Sequence, residues 1–203
     1  MLNKRKGLII VISAPAGAGK TTLCKRLLQI SSSFAYSVSF TTRPPRKNEI
    51  EGVDYYFISR KEFKEMIEQK KFVEWAQVHG ELYGTSANFL DKAIETKKDV
   101  VLEVDVEGGI EIKKRYPEAV LIFLLPPSWQ ELEKRLNKRA TERIEKIRER
   151  INQAKKEITY APSYDYLVVN DNINEALNDV LSIVRAERCR IDKTLLKSLQ
   201  EFI

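Results

Sequence analysis

The chain has 203 residues, of which 35 are Lys or Arg and 29 are Asp or Glu, for a formal net charge of +6, and 43% are hydrophobic. This balance excludes wholesale disorder and suits one domain, or one core carrying inserted subdomains, with enough chain to bury a proper core. No apolar run approaches the roughly 18 residues of a membrane-spanning helix. The single His79 and the two distant cysteines, Cys24 and Cys189, are too few soft ligands for a zinc cluster, although a Ser-His-Asp triad stays formally open. The thiols are expected to be reduced core residues rather than a disulfide. The basic excess fits nucleic acid, an anionic membrane or a phosphorylated small molecule, and its location has to decide among them.

In chain order, Lys4-Arg5-Lys6 precedes an apolar run at 8–12 and then Ala14-Pro15-Ala16, the outline of an export leader. The run is shorter than the roughly 7–15 residues a leader needs, so it reads as a buried strand. Further short Val/Ile/Leu runs at 100–106, 119–125 and 166–169 are near-continuous rather than alternating, as in a parallel sheet covered on both faces. Helical patterns lie between them at 20–29, 61–70, 88–97, 109–114, the long 128–158, and from 173 onward. The alternation predicts an α/β fold. Residues 38–90 break it with Tyr, Phe, Val and Thr in short bursts between Pro44-Pro45, Asn48 and Gly52, which predicts a small mixed insertion.

After the first strand stands Ser13-Ala14-Pro15-Ala16-Gly17-Ala18-Gly19-Lys20-Thr21-Thr22, leading into a helix. This is the P-loop pattern Gly-x4-Gly-Lys-Ser/Thr with Ala14 at the first Gly. Gly17 and Gly19 let backbone N–H groups turn inward around an anion, and the helix N-terminus adds its positive end. Lys20 can reach the outer phosphates and Thr21 can offer a hydroxyl to Mg²⁺. Downstream, Arg43-Pro44-Pro45-Arg46 places two arginines on a stiff turn suited to a second phosphate. Asp54-Tyr55-Tyr56-Phe57, Glu74-Trp75 and Tyr83-Gly84-Thr85-Ser86 follow.

Taken together, the segments 14–22, 37–46, 52–57, 74–76, 83–85, 103–105, 125–128 and 169–171 resemble the guanylate kinase family, in order across 7–190. The resemblance implies a P-loop NTPase-type parallel sheet flanked by helices, with a small mixed α/β GMP-binding insertion and a helical lid. The core would comprise about 1–37, 91–126 and 161–203, the insertion about 38–90 and the lid about 127–160. It implies Mg²⁺-dependent transfer of the ATP γ-phosphoryl to GMP, and to dGMP, giving GDP and ADP. The setting would be cytoplasmic purine nucleotide metabolism, in a monomer or homodimer with neither nucleic acid nor membrane as partner.

Carried over by position, residues 14–22, Arg135 and Asn170 would bind ATP. Arg43, Arg46, Tyr55 and Tyr83 would hold the GMP phosphate. Ser39, Glu74, Thr85 and Asp105 would read the guanine, with Glu103 in the same site. Lys20, Arg43, Arg139 and Arg150 would be catalytic, and Thr21 would meet Mg²⁺, with Asp105 as an option through water. Independent chemistry agrees for Glu74: guanine presents N1–H and N2–H₂ donors that one carboxylate accepts, whereas adenine presents a lone pair at N1. Glu103 and Asp105 also end an apolar strand, where acids often organise Mg²⁺ and its waters. Asn170 reads equally as part of a helix N-terminal turn with Asp171 and Asn172.

Three departures from the family pattern stand out: no Gly after Arg139 and Glu149 at a commonly basic position, Glu107 in place of Gln, and a tail, 191–203, past the usual end. The tail carries an apolar stripe of Ile191, Leu195, Leu199 and Phe202 that is expected to pack on its own core. Two alternatives stay open, a non-catalytic guanylate-kinase-like phosphopeptide-binding module and a P-loop kinase for another nucleoside monophosphate. By segment, the charge is +6 for 1–37, 0 for 38–90, −2 for 91–126, +4 for 127–160 and −2 for 161–203. The excess lies in the segment holding the phosphate loop and in the expected lid, although Lys4, Arg5 and Lys6 precede the first strand at the end away from the loop; this arrangement favours nucleotide phosphates over a nucleic-acid stripe.

Overall fold

The structure, a computed structural model, describes residues 7–30, 33–78, 80–137 and 144–191. In chain order its elements are β1 (Ile9–Ser13), α1 (Lys20–Ile30), β2 (Phe34–Tyr36), β3 (Ser39–Thr41), β4 (Tyr55–Phe57), α2 (Arg60–Glu68), β5 (Phe72–Val78) and β6 (Glu81–Ser86). Then come α3 (Ala87–Glu95), β7 (Asp99–Glu103), α4 (Val106–Arg115), β8 (Val120–Leu125), α5 (Trp129–Asn137), α6 (Ile144–Ile158), β9 (Tyr166–Val169) and α7 (Ile173–Cys189).

Five strands form a parallel sheet in the order β2-β7-β1-β8-β9. Every residue of β1 is buried, because helices cover both faces and the two sides of each strand need apolar groups. On one face Ile10, Ile12, Ile122 and Val168 pack with Leu23 and Leu27 of α1 and Val180 and Val184 of α7. On the other, Ile9, Val11, Leu102 and Leu121 pack with Leu90 of α3 and Ile112 of α4. The edge strand β2 went unread in the sequence, since its Phe34-Ala35-Tyr36 is short and only half-buried.

A second sheet, β4-β3-β6-β5, is built from residues 39–86. The helix α2 closes one side of it by inserting Phe63 against Phe72 and Leu82, and it starts at a capping box of Ser59 and Glu62. The register of β5 on β6 shifts between Phe72, which faces Ser86, and Glu74, which faces Thr85.

Some expectations need correcting. The pattern at 128–158 is two helices rather than one long one. Folding back lets Leu132 and Leu136 of α5 bury against Ala154 and Ile151 of α6, contacts that a straight helix would leave without a partner. The helix expected at 109–114 begins at Val106, because Asp105 caps it by accepting from the Gly108 N–H (2.7 Å). Cys24 is buried in the core, where desolvation pushes its thiol pKa up, but Cys189 is exposed, and both are free. Among the described residues no helix is long and apolar enough to cross a membrane. The tail from 192 onward, His79 and Arg139 lie outside the described residues.

Candidate active site

The phosphate loop leaves the carboxyl end of the central strand β1 and runs into α1. Gly17 (φ 88°) and Gly19 (φ 96°) adopt the left-handed conformation that side chains disfavour, whereas Ala14 does not, which is why alanine serves there. A Cβ on Gly19 would run into the amide nitrogen of Asn170. That nitrogen donates to the Ala18 carbonyl (2.7 Å), so Asn170, a buried residue, forms the floor of the loop. It is not the cap of α7: Asn172 is, accepting from the Asn174 N–H (2.8 Å). Gly19→Ala is therefore expected to weaken binding of a non-hydrolysable ATP analogue by tenfold or more, read by calorimetry, because strain and clash coincide. Unchanged affinity would contradict this account of the loop.

The two reactive side chains of the loop reach the end of β7. Lys20 Nζ donates to the Val104 carbonyl (2.7 Å), and Thr21 Oγ1 donates to Glu103 Oε1 (2.5 Å). Asp105, next in the chain, turns its carboxylate onto the start of α4.

Glu74 and Asp105 approach the same helix start from different layers. A Cβ on Gly108 would lie 2.9 Å from Glu74 Oε2 and 3.0 Å from Asp105 Oδ1, so glycine leaves room for both carboxylates. The other Glu74 oxygen accepts from Thr85 Oγ1 (2.5 Å), with Thr85 itself buried. Desolvation pushes the Glu74 carboxyl up to about 7, with Asp105 adding to the rise and Thr85 and Lys20 opposing it. Ser39, on β3, stands in register with Tyr55.

The arginine turn is closed by a residue that sequence reasoning missed. Glu49 accepts two parallel hydrogen bonds from Arg43 (Nη1 to Oε2 and Nη2 to Oε1, both 2.8 Å) and one from the Arg46 backbone N–H (2.8 Å). These bonds raise the Arg43 pKa and lower that of Glu49. The Arg43 guanidinium lies 5.3 Å from the Tyr55 ring centroid, and Tyr55 meets Tyr83 edge-on at 5.9 Å. The available signal was an acid three residues past Arg46 on a proline-stiffened turn. Structure therefore gathers Arg43, Arg46, Tyr55 and Tyr83 around one polar turn.

On the helical side, Arg135 does not stand free: its fork donates to the Asn170 carbonyl (both 3.2 Å) and its Nε to Glu131 (3.0 Å). Arg150 lies on α6. Among the described residues no group of three or more His, Cys, Asp or Glu could hold a metal alone. The oxygen pair of Thr21 and Glu103 instead fits a hard cation that takes most of its ligands from phosphates and water.

The guanylate kinase family model matches residues 6–187. A guanylate kinase of Caldanaerobacter subterraneus subsp. tengcongensis is 46% identical over 190 residues, 94% of this chain and 92% of that protein. One from Geobacter metallireducens is also 46% identical, over 98% of both chains. The crystal structure of guanylate kinase from Anaplasma phagocytophilum superposes with a TM-score of 0.82 at 31% identity, covering 99% of this chain and 97% of that one. With a phosphate loop, a paired-arginine turn and two carboxylates meeting at the end of one strand, and with relatives matching across nearly the whole length, the chain belongs to the guanylate kinase family of enzymes.

Proposed function

We propose that the enzyme transfers the γ-phosphoryl of ATP to GMP, and to dGMP, giving ADP and GDP. One observation carries the reading: three consecutive residues join the two nucleotide sites. Glu103 and Val104 receive Thr21 and Lys20 from the phosphate loop, and Asp105 shares the α4 start with Glu74. A donor held by the loop and an acceptor base held by Glu74 would thus meet over the end of β7.

In this reading residues 14–22 cradle the ATP phosphates and Asn170 supports the loop from below. Lys20 leaves the Val104 carbonyl for the outer phosphates, where its charge stabilises the transferred group. Thr21 and Glu103 would hold Mg²⁺, Asp105 reaching it through water. When bound, the ion neutralises phosphate charge and orients the oxygens. Arg43, Arg46, Tyr55 and Tyr83 grip the acceptor phosphate, with Glu49 holding the Arg43 fork in place beforehand. The GMP phosphate is largely ionised near neutral pH, so no strong general base is required, in keeping with a chain that has one histidine. Arg135, Arg139 and Arg150 of the segment 127–160 complete the donor side, and closure of that segment as a lid would exclude water. Segments 1–37, 91–126 and 161–203 then act as the core and 38–90 as the GMP-binding unit. Lys20, Lys25 and Arg26 at the loop and its helix, with the basic excess of 127–160, support handling of nucleotide phosphates rather than a nucleic-acid stripe or a membrane; we take the enzyme to be a cytoplasmic monomer or homodimer.

The test is a coupled ADP-release assay across GMP, dGMP, AMP, CMP and UMP. GMP is expected to exceed AMP in kcat/KM by about a thousandfold or more, because a site built for donors leaves a carboxylate facing a lone pair when adenine enters. Equal use of AMP, or no GMP-dependent ADP at all, would overturn the proposal.

A further inference from the structure

The end of α6 and the turn that follows it touch both the phosphate loop and the start of α4. The Ala16 N–H donates to Glu157 Oε2 (3.3 Å), while Glu157 Oε1 accepts from Gln153 Nε2 one turn earlier (3.3 Å). Three residues on, the Tyr160 hydroxyl donates to Glu107 Oε1 (2.7 Å), in the first turn of α4. Neither contact is required to pack the helix, since Ala154 and Ile151 already bury against α5. Desolvation raises the Glu157 carboxyl above its ordinary range, and Lys20 and Asp105 are close enough to act on it electrostatically, so it sits within the field of the active centre.

The neighbouring loop peptides have other supports. Ala18 donates to the Pro15 carbonyl (3.1 Å) and accepts from Asn170. Ala16 is exposed, immediately before the left-handed Gly17, and its N–H donates to Glu157 in the last turn of α6. The direction of this peptide sets where the following N–H groups point.

We infer that Glu157 is a positioning residue for the ATP loop: from the end of the α5–α6 pair its carboxylate holds the Ala16 N–H, with the Tyr160–Glu107 bond as a second anchor. This rests on reading the loop as the triphosphate site. Motion of the helix pair away from the loop breaks this bond, so donor binding and helix position are coupled through it. Because the bond needs an acceptor rather than a charge, glutamine at 157 can serve in place of glutamate.

The test compares Glu157→Ala, Glu157→Gln and Tyr160→Phe in the full chain. Binding of a non-hydrolysable ATP analogue and of GMP is read by calorimetry, and the two KM values by the coupled assay. Glu157→Ala is expected to weaken the analogue and raise KM for ATP roughly three- to tenfold, the scale of one ordinary, partly exposed hydrogen bond. KM for GMP stays within about twofold. Glu157→Gln regains most of the loss, and Tyr160→Phe shifts KM for ATP in the same direction by less. Unchanged ATP affinity in Glu157→Ala overturns the inference. So does tighter ATP binding in both Glu157 variants, which would make the carboxylate a competitor of the phosphates, or an equal loss toward ATP and GMP with a lowered Tm, which would make it merely structural. A wild-type enzyme that binds no analogue instead overturns the reading of the loop itself.

Discussion

Lys20→Ala is expected to lower kcat by about a hundred- to a thousandfold while leaving GMP affinity within about twofold. The magnitude follows from the role: a positive charge on the transferred phosphoryl group acts most strongly in the transition state, where charge is being redistributed. The selectivity follows from the geometry. Lys20 rises from the first residue of α1 to the Val104 carbonyl, whereas the arginine turn and Glu74 belong to the second sheet. Turnover is read by ADP release at saturating GMP, GMP binding by calorimetry, and folding by Tm, since the lost charge-assisted bond to Val104 is worth about 1.5–3 kcal/mol. A parallel collapse of GMP binding would show that donor and acceptor sites are not divided as proposed.

Glu74→Gln is expected to reduce the ratio of kcat/KM for GMP over AMP by about a hundredfold or more. Glutamine presents one acceptor and one donor where guanine needs two acceptors, and its amide would suit the adenine edge better. An unchanged ratio would remove Glu74 from base recognition. A pH dependence accompanies this. The free enzyme keeps a proton on Glu74 up to about 7, because burial disfavours the carboxylate. Guanine binds the carboxylate, so below pH 7 binding must expel that proton. Affinity is therefore expected to fall about tenfold per unit from pH 7 to pH 5, with proton release, and to level off between 7 and 8. Guanosine is the ligand to use, since it has no phosphate to titrate in the same range. Glu74→Gln should flatten the profile. Folding runs the opposite way: with its native pKa raised, Glu74 lowers stability as pH climbs from its ordinary range toward 7, a loss that glutamine removes.

The parts of the molecule legible from sequence are those where local chemistry leaves little choice. The loop 13–22 needs glycine at left-handed positions, and Gly17 and Gly19 occupy them. A strand covered on both faces has to be apolar throughout, so β1, β7 and β8 announce themselves as Val/Ile/Leu runs. Arg43 and Arg46 on a double proline mark a fixed cationic turn. Harder to see were elements whose identity depends on a distant partner. The strand β2 is three half-buried residues made a strand by pairing with β7. The break between α5 and α6 follows from two apolar stripes finding each other. Glu49 has a plain role only once the Arg43 fork is seen to close on it.

Glu74 shows the division most clearly. Sequence alone determined that a carboxylate was available, in a motif matching a guanine reader, and determined the loop chemistry that handles phosphate. Two-residue alternation along β5 would put Glu74 on the same side as Phe72, in the apolar contact with Phe63. The register shift before Glu74 places it opposite Thr85 instead, on the other face, where it meets Gly108 and Asp105. The same holds for Asn170, which sequence offered as an ATP-binding residue or as part of a helix N-terminal turn and which packing made the floor of the loop. Residue types were written into the chain locally. Their directions, and with them the raised Glu74 carboxyl and the joining of two nucleotide sites at residues 103–105, came from layers brought together by burial, because only tertiary packing decides which side chains lose their water.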